Sequence, residues 1–169
     1  DYIRTFPDRK FNLSKYNTWA VDSWFYSNDS NWPSTTKGIV SLDRDGLEGS
    51  RNKAMDLGVK DGKLSVFLSS NGSTWDIANI SGSTPLLLNN WHHVALVFDG
   101  FSYKVLLNGN EEILIKSPIK IASKNSSQII IGTTADKPMS QSWKGYLDEL
   151  RISDARDLNA PYLCDTTMP

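Results

Sequence analysis

The stretch WHHVALVFDG, residues 91–100, decides the fold. Trp91, His93, Ala95, Val97 and Asp99 alternate with His92, Val94, Leu96 and Phe98, and both alternating sets carry apolar side chains. A period of two marks a β-strand, and apolar residues in both sets mark one that is covered on both faces. Downstream, YKVLLNGNEE at 103–112 sets Tyr103, Val105 and Leu107 in one alternating register before Asn108-Gly109. That dipeptide tolerates positive φ and closes a two-residue hairpin turn of the primed type. WKGYLDELRIS at 143–153 reads as a last strand, so the three segments predict a hairpin and a closing strand of a two-sheet sandwich.

Working outward, turn signals punctuate the rest of the chain. TWAVDSWFYS at 18–27 alternates aromatic and small residues and predicts a long strand, ended by the polar NDSNWPSTTKG at 28–38. GIVSLD at 38–43 predicts the next strand, and the charged, Gly-containing DRDGLEGSRN at 43–52 a loop. MDLGVK at 55–60, the turn Asp61-Gly62 and KLSVFLSS at 63–70 form a second hairpin, and TWDIANIS at 74–81 continues the meander after Asn71-Gly72. No segment carries helical periodicity of useful length. The predicted class is therefore all-β, a two-sheet antiparallel β-sandwich with jelly-roll or Greek-key order.

With 169 residues, 39% of them hydrophobic and 22% charged, the chain fits one globular domain. A chain of this length buries about 70% of its unfolded surface, enough for a real core. Eighteen basic residues against nineteen acidic ones leave a formal charge of -1, so no polycationic field exists to attract nucleic acid or an anionic membrane. The longest apolar run, PLLL at 85–88, is far shorter than a membrane span, and no basic-then-apolar secretion signal opens the chain. Cys164 is alone, which excludes an internal disulfide and leaves it a spectator or an interchain contact. DLNAPYLCDTTMP, from 157, contains Pro161 and Pro169 and predicts a C-terminal strap or linker at 157–169, following a sandwich over 1–156.

The order WHHVALVFDG, then VLLNG at 105–109, IIIG at 129–132 and GYLDELRI at 145–152 resembles the laminin-G-like jelly roll of the concanavalin A-like lectin and glucanase superfamily, over nearly the whole chain. This sandwich carries lectins, adhesion modules, hydrolases and structural decorations alike, so the resemblance implies a fold more sharply than a function. By the same resemblance, Asp1-Tyr2-Ile3 is the end of a strand begun upstream, which implies a module cut from a longer polypeptide. RISDARDLNAPY at 151–162 is similar to the endings of such domains in phage tail, virion-surface and large bacterial surface proteins, with Asp157 where an aromatic residue usually stands. Relatives often hold a calcium ion near an edge, with a carboxylate at the position of Asp148. The resemblance thus implies a structural Ca2+ with Asp148 among its ligands, six to eight oxygens being required. The residues themselves leave a second role open, in which Asp148 and Glu149 pair with Arg151 or cap the sheet surface.

Catalytic chemistry finds little support. Glycoside hydrolysis needs two carboxylates facing one bond, and the laminarinase branch of the superfamily supplies them from E-x-D-x-x-E on one strand. Here the close pair on a candidate strand is Asp148-Glu149, whose side chains point to opposite faces. His92 and His93 likewise face opposite ways, as a hydrogen-bonded partner and a packed sheet histidine, and no Ser or Cys sits in a nucleophile elbow.

Carbohydrate binding rests on aromatic residues, because sugars present apolar C–H faces that stack on rings while their hydroxyls need amide and carboxylate partners. Trp19, Trp24 and Trp91 lie in strand patterns and are expected in the core. Trp32 in NDSNWPST, Trp75 after NGST and Trp143 after KPMSQS stand in polar, turn-rich surroundings, and with Asn71 they are the candidate ligand residues. Two of them on one surface beside Asn or Asp would make a glycan site; all folded back onto the sandwich would leave none. The expected protein is a non-catalytic carbohydrate-binding or adhesion module of a larger phage virion or bacterial surface protein, placed outside the cell or on the virion. Its partners would be surface glycans or neighbouring protein subunits, with homo-oligomers formed through the parent protein. Two rivals stand beside it. One is a structural decoration or assembly domain packing through an apolar strip such as FYS at 25–27 or PLLL at 85–88; the other is an accessory module of a polysaccharide-degrading enzyme.

Overall fold

The structure, a computed structural model, describes residues 2–29, 32–45, 52–135 and 140–153. The strap expected at 157–169, Cys164 within it, and most of the loop at 43–52 lie outside the described residues. The described residues form strands β1 (Ile3–Arg4), β2 (Trp19–Ser27), β3 (Lys37–Asp43), β4 (Lys53–Lys60), β5 (Lys63–Leu68), β6 (Ala78–Ser81), β7 (Trp91–Phe98), β8 (Tyr103–Leu107), β9 (Asn110–Ile115), β10 (Ile129–Ile131) and β11 (Gly145–Ser153). Two short 3-10 turns at Arg9–Phe11 and Leu13–Lys15 precede β2.

All pairings are antiparallel, in a six-stranded sheet of order β1-β10-β3-β4-β5-β6 and a five-stranded sheet of order β11-β2-β7-β8-β9. The core lies between them. Val21, Phe25, Leu96 and Phe98 of one sheet and Val40, Leu42, Leu57 and Val66 of the other are all without solvent exposure and belong to one cluster. Each such side chain contributes about 1.5–3 kcal/mol through removal from water.

The pattern of residues 91–100 is realised as read. On β7 every residue after Trp91 is buried. Val94, Leu96 and Phe98 face the main core, whereas Ala95 and Val97 join Ala20 and Leu106 in a small second cluster on the other face. Asn108 and Gly109 take φ of 49° and 81° and connect β8 to β9, where Leu107 pairs with Asn110. The Asn108 carboxamide also accepts the backbone N–H of His93 at 2.8 Å, which ties this turn to β7. Asp61 and Gly62, at φ of 50° and 71°, close the β4-β5 hairpin in the same way.

Three expectations change. The strand predicted from residue 74 begins only at Ala78, because the segment before it is wound into a loop by its own polar side chains. Trp24 and Trp91 are not in the core; their rings lie on the outward face of the five-stranded sheet with Asp22, two residues from Trp24, while Trp19 packs inside at 5.9 Å from both Phe98 and Tyr103. Each proposed apolar strip is divided: Phe25 and Leu86 turn into the core, while Tyr26 is half-buried on the outer face and Leu87 is exposed.

Candidate functional site

On the outward face of the six-stranded sheet the register aligns Ser41, Asp56, Phe67 and Asn79 across β3, β4, β5 and β6. The segment after β10 crosses this row and raises one wall. Ser41 donates to the carbonyl of Thr133 at 2.9 Å, and the Asp56 carboxylate accepts the N–H of Ala135 at 3.0 Å. Thr134 is hydrogen-bonded to Gln141, which extends that wall. The loop between β5 and β6 raises the other wall and carries Trp75, whose ring sits 5.7 Å from that of Phe67. Between the walls lies a groove of about 230 Å³ lined by Thr36, Asp56, Phe67, Trp75, Asn79, Thr134 and Gln141.

The Trp75 loop is held by its own residues. Asn71 Oδ1 accepts the N–H groups of Ser73 and Thr74 at 2.7 and 2.9 Å, and its amide nitrogen donates to Thr74 Oγ1 at 2.8 Å. Asp76 accepts from the backbone of Ser70 at 3.0 Å and from the hydroxyls of Ser69 and Ser70. Burial alone would raise the Asp76 carboxyl, but the hydrogen bonds from Ser70 and Ser69 outweigh it and hold the group below its usual range. The Lys53 ammonium donates to the carbonyl of Ser73 and lies 5.7 Å from the Trp75 ring centre, so the indole is packed without being enclosed.

Of the four candidate ligand residues, the structure brings Trp75 into the groove and gives the other three different places. Trp143 is only 9% exposed; its indole N–H donates to the Tyr26 carbonyl at 3.2 Å and its ring meets Phe25 edge-on at 5.6 Å. Trp32 packs against the core, 6.5 Å from Trp143, and donates to the Leu86 carbonyl at 3.1 Å. These two close one end of the sandwich, because an indole in a loop can satisfy its N–H on backbone and bury its rings at once. Asn71 is exposed, and its amide is committed to shaping the loop rather than directed at the groove. Asp56, Asn79 and Gln141 were not among the sequence candidates. Asp56 sits in a strand that is otherwise nearly apolar, and that isolation of a carboxylate in MDLGVK was the signal available.

Asp148 is exposed on β11, opposite Trp24, and its carboxylate accepts the N–H of Glu149 at 2.8 Å. A bulge between Asp148 and Arg151, with Glu149 at φ 50°, breaks the strict alternation expected there. Arg151 holds Asp22 by two hydrogen bonds of 3.1 Å, and Asp22 also meets His93 at 3.2 Å. Among the described residues no group of three or more His, Cys, Asp or Glu side chains converges at Asp148. His92 turns the other way from His93, beside Phe25, and its Nε2 lies 3.0 Å from the Leu87 carbonyl.

The model of the concanavalin A-like lectin/glucanases superfamily, in its laminin-G type, matches residues 1–161, and the chain belongs to this family. No curated protein sequence matches it. Among solved structures it is similar to the binding domain of Paraclostridial Mosquitocidal Protein 1, at 15% identity and a TM-score of 0.67 over 90% of this chain and 37% of that one. It is also similar to the CBM40 of a Ruminococcus gnavus sialidase bound to α2,3-sialyllactose, at 14% identity and a TM-score of 0.61, covering 80% of this chain and 74% of that one. Domain 4 of the extracellular arabinanase AbnA from Geobacillus stearothermophilus, in complex with arabinotriose, is 19% identical with a TM-score of 0.56, covering 82% and 61%. The chain thus spans less than two thirds of the length of several of these structures. At such identities the likeness establishes the sandwich.

Proposed function

We propose that this domain is a non-catalytic glycan-binding module of a larger surface-exposed protein, bacterial or on a phage particle, and that it binds sugar in the groove on the six-stranded sheet. One observation carries the proposal: Trp75 offers an aromatic face in the same groove as the Asp56 carboxylate and the Asn79 amide. Sugar recognition asks for that combination, a ring for the C–H face and planar polar groups for the hydroxyls. The sialyllactose and arabinotriose complexes of the similar structures support carbohydrate as the ligand class. Among the described residues Asp56 is the one acid that lines the groove, whereas either glycosidase mechanism uses two.

A glycan array probed with the isolated chain, followed by titration of the best soluble oligosaccharide, tests this. Trp75→Ala should weaken binding about tenfold or more, the loss of one stacking contact. Asn79→Ala, on an exposed side chain, should weaken it while leaving the unfolding midpoint in place. A wild-type chain that retains no glycan, or a Trp75→Ala variant that binds as well as wild type, would overturn the proposal.

A further inference from the structure

We propose that the segment following β11, residues 154–163, seats in an apolar pocket at one end of the sandwich with Leu158 as its anchor, and so straps the end of β11 to the start of the molecule. The pocket has a volume of about 340 Å³ and opens between the two 3-10 turns, the start of β2 and the end of β11. Phe11, Leu13, Trp19 and Ile152 make its apolar lining, and the exposed Tyr16 completes it. Leu13 and Trp19 belong to the main core cluster, and Phe11 and Ile152 pack against it. The pocket is thus an opening onto the core, and filling it removes apolar surface from water.

Chain continuity chooses the occupant. Ser153, the end of β11 and the last described residue, itself lines the pocket. Its register partner is Ala20, so the chain leaves β11 one step from Trp19. Leu158, five residues on, is the first apolar side chain after Ser153 that is larger than alanine. A link of that length spans at most about 18 Å, which keeps Leu158 within reach of the pocket. A segment on so short a tether has an effective concentration on the order of millimolar, and a free ligand or a second copy of the chain has to outcompete it.

Charge favours the same segment. Arg9, Lys10 and Lys15 of the 3-10 turns are exposed and Lys10 lines the pocket, whereas Asp8, the acid beside them, accepts the backbone N–H of Lys10 at 2.8 Å. Asp154 and Asp157 precede Leu158 and bring acid to this basic rim, with Arg156 the one cation between them. Exposed ion pairs contribute little, so they orient the segment while burial of Leu158 holds it. Pro161, Tyr162 and Leu163 follow with further apolar surface.

Cys164 is the single cysteine of the chain, so a nitroxide attached there reports where the segment lies. In the whole 169-residue chain the label should selectively broaden the NMR signals of residues 10–19. Leu158→Asp should abolish that broadening and lower the unfolding midpoint by about 3–6 °C. Leu158→Met, apolar and of similar volume, should keep both as in the wild type. Nitroxide-labelled chain mixed with unlabelled, isotope-enriched chain should leave residues 10–19 of the latter sharp. Broadening that spares residues 10–19, or that persists in Leu158→Asp, overturns the proposal, as does a Leu158→Asp midpoint equal to wild type. Broadening in the mixed sample also overturns it, because the occupant would then be a second copy.

Discussion

Trp75 reaches the groove because two small polar side chains, Asn71 and Asp76, bend its loop around it. Asp76 makes that hold dependent on pH. Its carboxyl lies below its usual range when folded, so its hydrogen bonds contribute fully above the unfolded value and are lost as pH falls through the folded one. The loop should therefore be tight at neutral pH and loosen below about pH 4. Amide exchange at residues 70–76, corrected for intrinsic rates, should rise on acidification in the wild type, and Asp76→Ala should exchange fast at every pH. Protection that is flat across this range in the wild type would count against the role given to Asp76. At this scale the sequence was half legible. The N-G turn and the tryptophan after it pointed to Trp75, but Trp32 and Trp143 stand in equally polar stretches and differ only in what their indoles meet.

Along single elements the period of two told more than was taken from it. In TWAVDSWFYS the residues Asp22, Trp24 and Tyr26 share one alternating set, and the polar Asp22 marks that set as outward. Trp24 and Trp91, expected in the core, are consequently on the surface face. The bulge in β11 was not legible, because DEL carries neither Gly nor Pro to announce an irregular backbone. Gly145, where β11 joins β2, gives an element-scale test. Its φ is 139°, and a Cβ there would lie 1.9 Å from the Tyr26 carbonyl oxygen, so the strand end would have to move. Gly145→Ala should cost about 2 kcal/mol, and the unfolding midpoint should fall by about 4–8 °C for a chain of this size. A midpoint unchanged within 1 °C or so, on the same scale, would mean that β11 is anchored elsewhere.

For the molecule as a whole, closing two sheets on one core puts the face that carries the Trp75 groove and the face that carries Tyr26, Trp91 and Tyr146 back to back. Neither face contains a converging acidic cluster among the described residues, which bears on the calcium expected at Asp148. An ion bound to the folded state alone raises stability by mass action, so the unfolding midpoint in EDTA and in millimolar calcium tests the ion expected at Asp148. A rise of several degrees with calcium would support it, and an unchanged midpoint would remove it. Sequence alone determined the all-β class, the two primed hairpin turns and the strands of the core, because alternation and positive-φ dipeptides act between neighbours in the chain. It also supplied the ring, Trp75, on which the proposed site depends. Tertiary structure decided which polar groups stand beside that ring. Asp56, Asn79 and Thr134 are distant in sequence and meet only through strand register and the crossing of the segment after β10. The cluster of Tyr26, Trp91 and Tyr146 likewise exists only because β11 pairs with β2, bringing Tyr146 level with Tyr26. Contacts of that kind are set by which strands become neighbours, and that choice is made by the burial of the whole core rather than by any stretch of residues.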